Sequence, residues 1–286
     1  MPGRVQTLEY QAFLGRWRYS SAPPAPDLAG VVLEYWEVEG RLSPFRERIL
    51  PNGATEVMIN LGPPHTLLTA EGSSVWDRSW FSGLHAQAIR IESLSGTHLV
   101  SARLHPLGAL QVLGPVVPQS VNAVIDLADV VGGPGAAILR ERLQASRAPE
   151  QRFAELEKFL QSRLLRYPAP SLAVLTAAQL IEEEHGNLRI ATLHRTLSLS
   201  RKQLWLRFAT ALGMSPKSYA GVQRFIWTLA RLRESTEVAW PRLALAAGYS
   251  DQSHLVRDFR RVAAASPTEF LRTRSPDSTA LLDAPG

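Results

Sequence analysis

The sequence predicts an α+β protein of two domains. An N-terminal β-sandwich or small barrel leads through a helical linker into an all-α domain built on two helix-turn-helix units. Three observations carry this. The first is a repeat. Residues 190–219 (IATLHRTLSLSRKQLWLRFATALGMSPKSY) and 240–270 (WPRLALAAGYSDQSHLVRDFRRVAAASPTEF) follow one pattern of short helix, turn, second helix and Ser-Pro stop. Ile190, Leu193 and Ser198 answer Trp240, Leu243 and Gly248 at an offset of 50. Leu204, Phe208, Ser215, Pro216 and Tyr219 answer Leu255, Phe259, Ser266, Pro267 and Phe270 at an offset of 51. The one-residue slip falls in the turn, so this is an internal duplication of one supersecondary unit.

The second observation is charge. Residues 186–274 hold fifteen Lys and Arg against five Asp and Glu, a balance of +10. The whole chain carries +5, so the remainder carries −5. A basic segment beside an acidic one points to a polyanion-binding domain attached to something else. The third observation is a run of short strands in the first half, punctuated by turn residues, which argues a β-sandwich or barrel.

Composition bounds the rest. With 286 residues the chain is long enough for two domains with real cores. Its mean hydropathy of −0.07 is ordinary for a soluble protein. There is no Cys. That excludes disulfides, thiolate metal sites and cysteine nucleophiles, and it fits a reducing cytoplasm. The N-terminal stretch MPGRVQTLEYQAFLGRWRYS has no sustained apolar run and places Arg16 and Arg18 where a signal core would sit. No signal peptide, membrane span or membrane partner is expected, and the location expected is cytoplasmic.

Taken in order, residues 1–30 are rich in Pro and Ala near SAPPAPDLAG and read as irregular. Strands are expected at 31–38, 56–61, 66–69, 76–83, 88–94 and 98–104. A Pro51-Asn52-Gly53 turn precedes the second of these. GALQVLG and residues 124–131 read as short helices, and Gly132-Gly133-Pro134-Gly135 as a break. Helical periodicity follows at 136–144 and 149–166, where Phe153, Leu156, Phe159, Leu160 and Leu164 share a face. Tyr167-Pro168-Ala169-Pro170 marks a domain boundary. Ser171 is placed to cap a helix running to about Glu184, with Gly186 at its end. The domains expected are 1–131 (barrel), 132–170 (linker), 171–274 (DNA-binding) and 275–286 (a flexible tail).

In the second unit, Pro241 suits the first turn of a support helix. Ala244 and Ala247 are small where helices must pack closely, and Gly248 can take the left-handed turn conformation. Asp251 is a good N-cap for the recognition helix. Leu255 and Phe259 face inward at i and i+4. Gln252, Ser253, His254, Val256 and Arg257 then face outward, with Arg260 and Arg261 nearer the DNA backbone. Arg suits guanine, Gln adenine, and Val a thymine methyl. His254 is also readable as a plain surface histidine.

The first unit is less regular. Ser198 replaces the turn glycine, which costs on the order of 1 kcal/mol if the residue is left-handed. His194 stands where the second unit has Ala244. Ser200 caps the recognition helix, whose outward face carries Arg201, Lys202, Trp205, Leu206 and Arg207. Trp205 and Leu206 could touch thymine methyls or pack on a neighbouring helix. The three basic residues then act mainly on phosphates. One long helix from Pro216 to about Glu234, with an apolar stripe of Tyr219, Val222, Phe225, Ile226, Leu229 and Leu232, connects the units. A rigid connector lets both recognition helices enter successive major grooves, about 34 Å apart.

The ladder GYSDQSHLVRDFRR and SPTEFLR, with SRKQLWLRF and GMSPKSY before it, resembles the AraC/XylS family of bacterial transcription regulators over residues 171–274. The resemblance implies a seven-helix DNA-binding domain. It implies base-reading positions at Lys202, Trp205 and Leu206 in the first unit and at Gln252, Ser253, His254, Val256 and Arg257 in the second. Trp205 and Leu206 depart from the polar or basic residues usual there, so sequence discrimination is expected mainly from the second unit. RERILPNGATEVMINLG (46–62) and the run 81–114 resemble a cupin-like sensor region found in a poorly characterised subset of these regulators. The partners implied are double-stranded DNA, a small-molecule effector or a second copy of the chain at the barrel, and RNA polymerase if the protein is an activator.

No catalytic residue, cofactor or metal ligand is expected. A metal cupin needs clustered His and carboxylate ligands, whereas His65, His85, His98 and His105 are scattered and never form His-x-His. No Gly-rich phosphate loop or nucleophile elbow occurs. The alternatives are a DNA-associated adaptor without sequence preference, and a metal-dependent cupin enzyme fused to a DNA-binding domain.

Overall fold

A computed structural model of the chain describes all residues except 13, 95, 235–237, 275–279 and 283–286. Twelve described strands form two antiparallel sheets. The larger contains β1 (Gln6–Ala12), β2 (Gly15–Ala22), β3 (Val32–Leu42), β5 (Thr55–Asn60), β8 (Ser79–Ser82), β10 (Thr97–Leu104) and β11 (Val124–Asp126). Their spatial order is β1-β2-β3-β10-β5-β8-β11. The smaller contains β4 (Phe45–Ile49), β6 (His65–Thr69), β7 (Gly72–Trp76), β9 (Ile89–Ser93) and β12 (Ala280–Leu282), in the order β12-β4-β9-β6-β7.

Because strand side chains alternate between faces, the large sheet carries two sets of residues. Tyr35, Val57, Ile59, Val100 and Ala102 point one way and join a core with the linker helices. Those helices are α1 (Pro106–Leu113), α2 (Val116–Gln119), α3 (Leu127–Val131), α4 (Gly133–Ala145) and α5 (Pro149–Gln161). Tyr35 stacks on Phe153 of α5 with ring centres 6.0 Å apart. Trp36, Met58, Trp80 and Leu99 point the other way, between the sheets, and form a much smaller cluster. The main core of the N-terminal domain therefore lies outside the sandwich, under the helices, and the space between the sheets is incompletely filled.

A buried ion pair ties the linker to the sheet. Arg152 of α5 donates twice to Glu37 of β3, both at 2.7 Å. His98 lies 3.2 Å from the same carboxylate. Burial works to raise the Glu37 carboxyl, but the bonds from His98 and Arg152 outweigh it and hold Glu37 below the usual carboxylate range.

The C-terminal domain comprises α6 (Leu172–Glu183), α7 (Ile190–Thr196), α8 (Arg201–Leu212), α9 (Pro216–Glu234), α10 (Trp240–Ala246), α11 (Gln252–Ala263) and α12 (Pro267–Thr273). No helix among the described residues is long and apolar enough to cross a membrane.

Several expectations need correction. Residues 6–22 are not irregular: β1 and β2 pair as a hairpin, with Ala12 opposite Gly15. β1 sits at the sheet edge with mostly exposed side chains, so it lacks the apolar alternation that marks a strand. The strand at 45–49 went unread, and 124–126 is a strand rather than the start of a helix. The single strand expected at 76–83 is two, because the chain passes from the small sheet to the large one between Trp76 and Ser79. The helix read to 166 ends at Gln161. Most of the tail read at 275–286 lies outside the described residues; its described part, β12, pairs with β4 through Ala280–Ile49, Leu281–Arg48 and Leu282–Glu47.

Candidate nucleic-acid interface

The second helix-turn-helix is α10 and α11. Pro241 lies in the first turn of α10, and Ala244 and Ala247 are buried against the partner helix. Gly248 has φ +77°. A Cβ there would meet the Asn187 Oδ1 at 2.0 Å. Gly248→Ala is expected to destabilise the protein by about 1–2 kcal/mol from the left-handed backbone alone, more if Asn187 does not yield. A thermal melt reads this directly, and an unchanged melting temperature would remove the turn from the argument.

Asp251 caps α11 by accepting from the His254 N–H at 2.8 Å. Its carboxyl is lowered, first by that backbone bond and then by Ser250 and the nearby Arg257 and His254. Leu255 and Phe259 are fully buried. Each contributes on the order of 1.5–3 kcal/mol by leaving water. With these two inward, Gln252, Ser253, Arg257, Arg260 and Arg261 are exposed, and His254 and Val256 are half-buried. Arg257 folds back toward the Ser253 carbonyl at 3.4 Å. Arg261 is engaged by Asp258 at 2.6 Å.

The first unit is α7 and α8. Ser198 has φ +51°, so the strained turn conformation is real. Ser200 and Gln203 form a reciprocal capping box on α8. Leu204 and Phe208 are fully buried. Arg201, Lys202, Trp205, Leu206 and Arg207 are all exposed. Trp205 and Leu206 are 54% and 56% exposed, so the alternative in which they pack on a neighbouring helix does not hold.

The connector α9 runs Pro216–Glu234, the bounds its sequence suggests. At ~1.5 Å per residue its nineteen residues span about 28 Å. It grips the second unit through Arg224, which lies 5.3 Å over the Tyr249 ring and donates to the Gly186 carbonyl at 2.9 Å. Tyr249 in turn donates to Asp258 at 3.0 Å. Sequence reading missed this network, because Arg224 reads as one more cation in a basic domain.

The N-terminal domain touches the helix-turn-helix units directly. Arg48 of β4 is buried; it donates to the Ala264 carbonyl at 2.7 Å and to Glu269 at 3.0 Å. Ala264 ends α11 in a left-handed conformation, φ +51°. The Ala88 N–H donates to the Val262 carbonyl at 2.7 Å. The first unit is held at its own helix end, where a Cβ on Gly213 would meet the Pro118 carbonyl of α2 at 1.9 Å. Both recognition helices therefore rest their C-terminal ends on the N-terminal domain and leave their N-terminal turns outward.

A cavity of about 430 Å³ lies between the two sheets. Trp17, Tyr19, Trp36, Phe45, Trp76 and Trp80 wall it. Ile226, Leu229, Ala230 and Arg233 of α9 also line it, so the connector closes one side. Sequence reading missed the site. Its one available signal was that four of the seven tryptophans fall before residue 81.

The histidines considered as metal ligands are dispersed. His65 bonds Ser93 at 2.7 Å, His85 bonds Ser82 at 2.9 Å, and His105 lies 3.3 Å from Glu182. His98 does approach Glu37 and Glu39 closely enough to share an ion. The Arg152 guanidinium already occupies both Glu37 oxygens, so that group is an ion pair and not a vacant metal cradle.

Comparison with known proteins follows this division. A family described as "Helix-turn-helix domain", of AraC type, matches residues 193–273. A family described as "Domain of unknown function (DUF6597)" matches residues 20–126. No curated protein matches the chain. Among solved structures, ToxT from Vibrio cholerae is similar over 83% of this chain and 98% of its own, at 14% identity and a TM-score of 0.50. That likeness extends the shared two-domain fold across both halves. A ToxT structure with unsaturated fatty acid bound aligns at a TM-score of 0.47 and 12% identity, over 83% of this chain and 94% of its own. The AraC-like transcriptional activator CuxR aligns at 0.34 and 12% identity, over 79% and 87%. With its repeated helix-turn-helix and its basic domain, the chain carries over residues 193–273 an AraC-type helix-turn-helix domain, the domain of a DNA-binding transcription regulator, behind an N-terminal domain of unknown function.

Proposed function

We propose that the protein is a sequence-specific regulator that reads a bipartite DNA site. α11 reads bases through Gln252, Ser253, His254, Val256 and Arg257, with Arg260 and Arg261 on the backbone. α8 holds phosphates through Arg201, Lys202 and Arg207, with Lys202 placed to reach a base. The observation that supports this most is the pair of outward, capped recognition helices joined by one unbroken connector, α9. Such a connector sets the spacing of two major-groove contacts.

The N-terminal domain is not catalytic in this reading. It takes a small effector in the cavity between its sheets or pairs with a second copy of the chain. A ligand shifts DNA binding only if it favours one arrangement of the domains over another. The contacts of Arg48 and α9 with the barrel supply the elements that such a shift would move. RNA polymerase is a partner if the protein activates.

Selection from a random duplex library tests the reading. The expected result is a bipartite consensus with half-sites about one helical turn apart. Enrichment of no consensus, together with salt-sensitive binding to any duplex, would instead establish the adaptor reading. That second reading has one observation in its favour, the apolar pair Trp205 and Leu206 on the outward face of α8.

A further inference from the structure

We infer that the cavity between the sheets binds an uncharged, planar aromatic molecule of two fused rings carrying a hydroxyl or carbonyl group, and that this ligand bridges the barrel and α9. The inference rests on the regulator reading and gives its effector a chemical class.

The wall decides the shape. Tyr19 stacks on Trp36, and Trp76 and Trp80 meet edge to face with ring centres 6.0 Å apart. His65 lies edge-on to Trp80 at 6.4 Å. Aromatic pairs of this kind add about 0.5–1.5 kcal/mol beyond buried area. A flat ring inserted among them gains such contacts on several sides, and a flexible alkyl chain gains none. A cavity near 430 Å³ falls in the range of ordinary small-ligand sites.

The charges decide the rest. Four ionisable side chains of formal charge line the cavity: Glu47, Glu56, Arg103 and Arg233. Their charges cancel. Arg103 is committed to two carboxylates, Glu56 at 2.9 Å and Glu34 closer still. Burial opposes its charge, but those carboxylates hold it above the usual arginine range. His65 and His85 also line the cavity. Burial pushes each down to about 4, so both are neutral imidazoles at neutral pH. Neither offers a cation to an acid. His65 Nε2 and His85 Nδ1 have no hydrogen-bond partner among the described residues. Neutral imidazole can donate or accept, which suits a hydroxyl or carbonyl. The lining offers an ion of either sign no net counter-charge to replace its hydration.

The position decides the consequence. One side of the cavity is Phe45, Glu47 and Ile49 of β4, the strand that carries Arg48. The other is Ile226, Leu229, Ala230 and Arg233 of α9, the helix that sets the spacing of the reading heads. A ligand spanning both holds the connector to the barrel.

Isothermal titration of the full chain without DNA tests this with three probes at neutral pH: 2-naphthol, 2-naphthoate and decanoate. The expected result is that 2-naphthol binds at one site, at least tenfold more tightly than either acid. Ala230→Trp, which fills the cavity from an exposed position on α9, is expected to weaken 2-naphthol at least tenfold. Leu67→Trp fills it from the small sheet and serves if the first variant does not fold, which circular dichroism will reveal. An acid that binds as tightly as 2-naphthol overturns the inference, as does a wild-type chain that takes up none of the three probes. Wild-type affinity for 2-naphthol in both folded variants overturns it too. A chain that selects a bipartite DNA site yet ignores 2-naphthol defeats this inference alone. One that binds 2-naphthol yet selects no site defeats the regulator reading instead.

Discussion

Arg152→Met is expected to cost about 3–5 kcal/mol at neutral pH, the range found when one partner of a buried ion pair is removed. The variant leaves the Glu37 carboxylate buried beside His98 with no guanidinium. The pH dependence separates this from lost packing. In the wild type the Glu37 carboxyl is held below its ordinary 4.5. Its contribution is present above that value and is lost as pH falls through the lower folded value. Without Arg152 only His98 still opposes burial, so the carboxyl rises relative to the wild type. The deficit against wild type should therefore be largest at neutral pH, shrink as pH falls through the variant's value, and be smallest at an acid pH below the wild type's lowered value. Urea midpoints followed by circular dichroism at the two pH values read it. An equal deficit at both would mean that Arg152 acts through its aliphatic stem. The double variant Glu37→Leu, Arg152→Met should recover most of the loss, because neither charge then remains to be solvated.

The helical domain was far more legible in the sequence than the barrel, for physical reasons. A helix-turn-helix announces itself through local chemistry. Asp251 and Ser200 cap their helices as their side chains suggest, and Gly248 takes the left-handed turn. α9 begins at a Pro that its first turn tolerates. All these signals act within a few residues. Strands were readable where one face is apolar, as in β5 and β10. They were unreadable at the edge, where β1 exposes both faces and β12 is three residues long. The cavity was invisible because it arises from how far apart two sheets stand, and alternation of side chains does not encode that distance. Arg48 is a similar case. Its role depends on bringing residue 48 against 264 and 269, and nothing local to β4 points there.

Arg257→Ala and Arg260→Ala should separate base reading from backbone anchoring on a single helix. Both side chains are exposed on α11, three residues apart, yet they lie on different parts of the face left open by Leu255 and Phe259. Arg257 sits one turn into the helix, beyond the capped end that a major groove admits first. Loss of a bidentate contact to guanine costs about 1–3 kcal/mol, or roughly 5- to 150-fold, and it should fall on one base position of the selected site. Arg260 lies in the last turn, nearer the end that Arg48 and Ala88 hold against the barrel. Its removal should weaken all sequences alike and lower the salt slope of binding by about 1. Competition binding with single-base variants of the selected site, repeated at several salt concentrations, measures both quantities. If Arg257→Ala weakens every site equally, Arg257 is a phosphate contact and base reading must move to Gln252, Ser253 and Val256. If Arg260→Ala relaxes one base position, α11 enters the groove more deeply than its docked end allows. The helix would then have to leave Arg48 before binding DNA, and the clamp from the barrel would be the step that an effector controls.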